Sequence, residues 1–149
     1  MMKIGKILMI IVALMLVLLI VGIPVGNDMI ALSVSKRLRN TPLPEDTEII
    51  DYTSKAGKLV GSGNGMQYLG AILVKSQLTR EALDNYYSKY RENYWSYLVS
   101  EQKSSQIKFI EHGYLEFDSL KDTVDFNGYY VVYSWGNNNS LLDFDLRGH

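Results

Sequence analysis

The chain has 149 residues, with 15 basic against 16 acidic side chains, no cysteine and 11 tyrosines. Disulfides are thereby excluded, and a near-neutral balance lacks the basic footprint of a nucleic-acid binder. Two of the bases, Lys3 and Lys6, precede the first long apolar run, so the remainder is mildly acidic and we expect no nucleic-acid partner.

That run, Ile7 to Val25, contains no ionisable residue. At about 1.5 Å rise per residue it covers roughly the 30 Å hydrocarbon thickness of a bilayer, and it lacks the polar face of a helix on a soluble core. It predicts a transmembrane helix over residues 7–26 behind a basic tail of residues 1–6, with membrane lipid as the partner of Ile7 to Val25. The competing readings are a cleaved secretory signal and a buried helix of a soluble domain. A signal's apolar region is about 7–15 residues long, shorter than this one. The small residues of Ala31-Leu32-Ser33 have cleavage-site spacing but lie beyond Pro24 and Gly26. Lys3 and Lys6 stand close to the apolar boundary, whereas Lys36, Arg37 and Arg39 begin well past it. This arrangement favours a cytoplasmic amino terminus and an extracytoplasmic carboxy-terminal part at the cell membrane.

Residues 27–44 read as a juxtamembrane segment. Asn27 or Asp28 suits an N-cap, and Ile30, Val34 and Leu38 recur every fourth residue, predicting a short helix over 27–40. Lys36, Arg37 and Arg39 crowd its end, where positive charge complements the helix dipole or meets anionic headgroups, and they are the expected membrane-surface contacts. Pro42 and Pro44 then enforce a stiff spacer over Thr41 to Glu45.

The domain, residues 45–149, opens with a predicted strand over Thr47 to Thr53. The glycine cluster Gly61-Ser62-Gly63-Asn64-Gly65 makes a turn before a second strand, Met66 to Lys75. In that strand Met66, Tyr68, Gly70, Ile72 and Val74 face one way and Leu69, Ala71 and Leu73 the other, which suits the middle of a sheet. Thr79 caps a helix with Leu78 and Leu83 as a hydrophobic staple, and Leu83, Tyr86, Tyr87, Tyr90 and Tyr94 fall in one stripe. Strands follow over Tyr97 to Glu101, Ile107 to Phe117, Gly128 to Trp135 and Leu141 to Leu146, the last two parted by a turn at Gly136 to Asn139. This order predicts an α+β fold: a transmembrane helix, then a mostly antiparallel sheet with one main helix on a face.

Motifs of chemistry are sparse. The glycine cluster has the spacing G-x-G-x-G and precedes a strand, so it satisfies neither a dinucleotide fingerprint nor a P-loop. We read it as a hairpin loop, flexible and ligand-touching, with Gly61, Ser62, Gly63, Asn64 and Gly65 as candidates for ligand or partner contact. Tyr129 and Tyr130, on opposite faces of one strand, are the aromatic candidates, since tyrosine joins an apolar ring to a hydrogen-bonding tip. His112 with Glu111 and Glu116, and Asp143 with Asp145, do not form a ligand pattern, and the sequence calls for no metal or cofactor. Asn138-Asn139-Ser140 fits a glycosylation sequon that a bacterial chain would not use.

Thr41-Pro42-Leu43-Pro44-Glu45, Glu48-Ile49-Ile50, Gly57-Lys58-Leu59, Gly63-Asn64-Gly65-Met66-Gln67-Tyr68 and the helix started by Thr79 together resemble a group of small, single-pass, membrane-anchored bacterial proteins with an exported α+β domain. The resemblance implies location and architecture and carries no catalytic residue. The expected function is a non-enzymatic cell-envelope binding or interaction module, meeting an envelope protein or wall component. A small membrane-tethered hydrolase using His112, a carboxylate and a serine is the alternative, as is a structural subunit acting through its membrane helix.

Overall fold

The computed structural model describes residues 2–90, 96–136 and 145–149. Its first feature is one unbroken helical run, built as α1 (Met2–Val17), a π-helical turn (Leu18–Gly22) and α2 (Ile23–Asn40). The stretch Ile4–Asn40 is long and apolar enough to cross a membrane. Its 37 residues reach about 55 Å, nearly twice a bilayer's hydrocarbon thickness. The two halves have opposite surroundings. Every residue from Ile4 to Gly22 is exposed, whereas Asn27, Ala31, Val34, Ser35 and Leu38 are buried against the rest of the chain.

The separate juxtamembrane helix expected over 27–40 is therefore corrected. Neither Asn27 nor Asp28 is an N-cap, because the helix passes through Pro24 without stopping. Pro24 offers no N–H, and its ring crowds the carbonyl four residues back. The preceding π turn, in which the Ile23 N–H donates to the Leu18 carbonyl, widens the helix where that crowding falls. Thr41 has φ −70° and ψ 133°, extended as a residue before proline should be, and the helix ends there.

The domain is α+β. Strands β1 (Thr47–Gly57), β2 (Gln67–Ser76), β3 (Tyr97–Glu101) and β4 (Tyr129–Gly136) form a four-stranded sheet in the order β1-β2-β4-β3, with every pairing antiparallel. The alternation in β2 is as expected. Tyr68, Ile72 and Val74 join the helix-side core, while Leu69, Ala71 and Leu73 join the opposite core. A short helix, α3 (Arg80–Tyr87), starts at Thr79, whose hydroxyl accepts from the Ala82 N–H at 3.2 Å. Leu83, Tyr86, Tyr87 and Tyr90 face the core as the stripe predicts, but α3 stops at Tyr87 and a 3₁₀ turn carries Ser88–Tyr90.

The sheet face is shared by α3 and α2, and α2 takes the larger part, packing on β1, β2 and β4. Along β2 the helix contacts advance in step, Tyr68 meeting Asn27, Gly70 approaching Ser35, and Ile72 and Val74 sharing a core with Leu38.

The strand expected over Ile107 to Phe117 does not form. Only one isolated bridge, Gln106 with Glu116, marks it. Gly113 takes φ 89°, and the N–H groups of Glu111 and His112 both donate to the Leu59 carbonyl instead of a ladder. Ile107, Ile110, Phe117 and Leu120 still bury their side chains, so this irregular segment roofs the second face of the sheet. Tyr94, Trp95, the turn at Asn137 to Asn139, the sequon, and Leu141 to Phe144 lie outside the described residues. At the end of the chain, Leu146–Gly148 is a 3₁₀ turn.

Candidate functional site

The antiparallel register fixes two ends of the sheet. Tyr68 lies beside Asn27, near the apolar end of the helix, while Ser76 lies beyond Leu38. The sheet therefore has a helix-entry end and a far end, and the expected contact residues divide between them. The glycine turn is at the helix-entry end. Tyr129 and Tyr130 are at the far end.

The far end carries a cleft of about 670 Å³ where the start of β1, the end of β2 and the start of β4 meet. Its frame is a set of short polar contacts. The Gln77 N–H donates to the Asp46 carbonyl at 3.2 Å, the Ser76 N–H to the Gly128 carbonyl at 2.9 Å, and the hydroxyls of Thr47 and Ser76 lie 2.6 Å apart. Two residues sit in left-handed backbone, Asp46 with φ 54° and Gly128 with φ 76°. At Gly128 a Cβ would lie 2.9 Å from the Ser76 carbonyl oxygen, so glycine is required there. Glu48, Lys75, Asn127 and Tyr130 line the opening. Tyr129 turns to the other sheet face, where the Lys75 ammonium lies 5.0 Å from its ring centre, and both tyrosines border a second cleft of about 270 Å³. Carboxylates, an ammonium, hydroxyls, an amide and an aromatic ring together suit a polar ligand held by hydrogen bonds.

At the helix-entry end the glycine turn is held from several sides. The Gln67 side chain accepts from the N–H groups of Leu59 and Val60 at 2.8 and 2.9 Å and donates to the Val60 carbonyl at 3.1 Å. Glu111 accepts from the Gly61 N–H at 2.7 Å, and His112 Nε2 contacts the Gly61 carbonyl at 2.7 Å. His112 and its neighbouring acid thus secure a turn. Among the described residues, no three His, Cys, Asp or Glu side chains are grouped to hold a metal ion.

Beside this turn is a polar clasp between helix and chain end. The Asn27 amide donates to Asp145 Oδ2 at 2.9 Å and accepts from the Tyr68 hydroxyl at 2.8 Å, all three residues being buried. Arg147 Nε lies 3.1 Å from each Asp145 carboxylate oxygen, and its Nη2 is 2.7 Å from Oδ2. The same guanidinium reaches the Asp28 carboxylate and the Pro24 carbonyl oxygen, both at 2.9 Å. Hydrogen bonding from Arg147 holds the Asp145 carboxyl down to about 2, with Asn27 assisting and burial opposing. Reciprocally, Asp145 raises the Arg147 pKa.

Sequence reasoning missed the clasp of Asn27, Asp145 and Arg147, because the contacts that join the helix to the chain end, Asn27 with Asp145 and Arg147 with Asp28 and Pro24, each span more than a hundred residues. Lys36 is exposed about 16 Å along the helix from Val25, and the Arg39 guanidinium lies 3.8 Å from the Tyr52 ring centre on β1. Arg37 borders a separate cleft with Lys89 and Tyr97.

Compared with protein-family models, curated proteins and solved structures, the chain matches none of them.

Proposed function

We propose that this chain is a single-pass membrane protein, amino terminus cytoplasmic, whose helix serves both as the anchor and as one layer of the extracytoplasmic domain. The reading makes it a non-enzymatic interaction module that presents its far-end cleft to an envelope protein or wall component. The observation that carries it is the single helix Ile4–Asn40, exposed and apolar in its first half and buried in the domain core in its second. An anchor joined this way is a strut with no hinge. It holds the cleft about 20 Å beyond the apolar boundary, counting the helical rise from Val25 to Asn40. Lys36, exposed on the helix, then lies at the height of the domain's core.

Two measurements test this reading. Alkaline extraction and protease access in intact cells report insertion and side: the intact chain stays with the membrane and the domain is cut only from outside. A photo-reactive amino acid at Gln77 or Asn127, on the cleft rim, then gives one discrete crosslinked species in intact cells, while the same group at Lys108 gives none. Recovery of the full chain in the aqueous fraction, or identical crosslinking from all three positions, overturns it.

A further inference from the structure

The helix-entry end of the domain carries a surface that the fold leaves open. Leu146 is 87% exposed although its neighbours Asp145 and Gly148 are buried. It does not hang free, because Arg147 beside it is bonded to the Pro24 carbonyl oxygen at 2.9 Å. Pro24 is inside the last turn of the apolar run, one residue before Val25, which is itself 50% exposed. The Arg147 side chain thus ties the chain end that carries Leu146 to the level at which a bilayer receiving Ile7 to Val25 would end.

The charge beside Leu146 has a definite sign. The Lys58 N–H donates to the Arg147 carbonyl at 2.7 Å, and Lys55, Lys58 and Arg147 line one cleft of about 680 Å³. The guanidinium of Arg147 is taken up by Asp145 and Asp28, and the Glu111 carboxylate is turned to the Gly61 N–H. The Lys58 and Lys55 ammonium groups, in contrast, meet only the carbonyl oxygens of Ser62 and Tyr114, at 3.4 and 2.7 Å. Among the described residues neither has a carboxylate partner, so both keep a positive charge available to an anion.

We propose that this end of the domain is a second membrane contact: Leu146 enters the boundary between headgroups and acyl chains, and Lys58 and Lys55 receive the phosphates of anionic lipid. The occupant is the bilayer that holds the helix, and the contact is continuous with the span through the bond from Arg147 to Pro24. An exposed leucine at that level gains by leaving water, and lysines near an anionic surface add attraction that falls off within a Debye length. The proposal rests on the reading of Ile7 to Val25 as a span. It gives the domain one fixed orientation on the surface, with the far-end cleft directed away from it.

The natural chain has no cysteine, so single-cysteine variants of the full chain can carry a nitroxide at chosen sites. Leu146→Cys, Gln77→Cys at the far end and Leu14→Cys in the apolar run are reconstituted in vesicles of phosphatidylcholine, alone or with an equal amount of phosphatidylglycerol. The readout is the collision rate with oxygen relative to that with a neutral, water-soluble nickel chelate. The expected result is a ratio at position 146 several-fold above that at 77 and approaching that at 14, larger with phosphatidylglycerol, and lowered there by Lys58→Glu with Lys55→Glu. A ratio at 146 equal to that at 77 in both vesicles, with 14 still lipid-like, overturns the second contact and leaves the span intact. A water-like ratio at 14 overturns the span itself and the contact with it. Equal ratios at 146 in the two vesicles, or no effect of the charge reversal, overturn the role given to the lysines.

Discussion

A Cβ placed on Gly70 would lie 2.3 Å from the backbone nitrogen of Ser35, so β2 and α2 approach each other at a distance only glycine permits. The obstruction is main chain on both sides, with the Val34 carbonyl carbon at 2.6 Å, and no side-chain rotation relieves it. Gly70→Ala must therefore push the helix off the sheet. We expect a loss on the order of 3 kcal/mol, the upper part of the usual overpacking range, and a clearly lower thermal midpoint for the detergent-solubilised chain. Gly63→Ala, with nothing within 4 Å of its added Cβ, is the control and leaves the midpoint unchanged.

The contact between Asp145 and Arg147 makes stability depend on acid. The carboxyl is held at about 2 in the folded chain against an ordinary value of 3.8, first by its hydrogen bonds from Arg147. A depressed folded value stabilises fully above the ordinary value and loses that contribution as pH falls from there through about 2. The shift corresponds to at most about 2 kcal/mol. The thermal midpoint should thus fall between about pH 4 and pH 2, and Asp145→Asn should start lower and fall less steeply. Glu116, held down by the Tyr114 hydroxyl, lends both proteins the same background slope. Arg147→Ala is the harsher change. It leaves a carboxylate that is 2% exposed without its cation, which typically costs about 3–5 kcal/mol.

Two buried tyrosines should respond oppositely to loss of their hydroxyls. Tyr68 donates to Asn27 Oδ1 at 2.8 Å, whereas the Tyr87 hydroxyl has no hydrogen-bond partner among the described residues and burial raises its pKa. Removing one member of a buried pair strands the other, at about 1–3 kcal/mol, while removing an unpartnered hydroxyl relieves a desolvation cost. Tyr68→Phe should lower the denaturant midpoint and Tyr87→Phe should leave it equal or raise it. A drop of similar size in both would contradict the assignment.

What local pattern could reveal was governed by local partners. The period of two in Met66 to Lys75 survives because each face of β2 meets its own apolar core, and Thr79 caps α3 because its bond to Ala82 spans three residues. The Ile107 to Phe117 segment is apolar and buried yet irregular. Its buried side chains, Ile107, Ile110 and Phe117, follow no strand period, and Gly113 turns the chain between them. Asn27 looks like a helix cap from its neighbours alone. Its actual partners, Tyr68 and Asp145, arrive only when the sheet and the chain end close on the helix. Of the contact candidates, Tyr130 lies on a cleft wall and Gly61 to Gly65 sit in a tethered turn, a division set by strand register.

The same register makes Leu43 a poor place to begin a soluble fragment, although the proline spacer looks like a domain boundary. α2 contributes Ala31, Val34 and Leu38, each at most 1% exposed, and covers Tyr68, Ile72 and Val74 on β2. Burying a large aliphatic or aromatic side chain is worth about 1.5–3 kcal/mol, and a domain's whole stability is about 5–15 kcal/mol. Stripping the helix from this face uncovers several such side chains at once and exceeds that margin. A fragment of residues 43–149 should lack near-ultraviolet circular dichroism and a cooperative thermal transition. A fragment of residues 23–149 keeps α2, the Arg147 bond to Pro24 and the whole sheet face, and should show both. A cooperative transition in the shorter fragment would mean that α3 and the roof segment alone suffice as a core, and that α2 lies on the domain without being part of it.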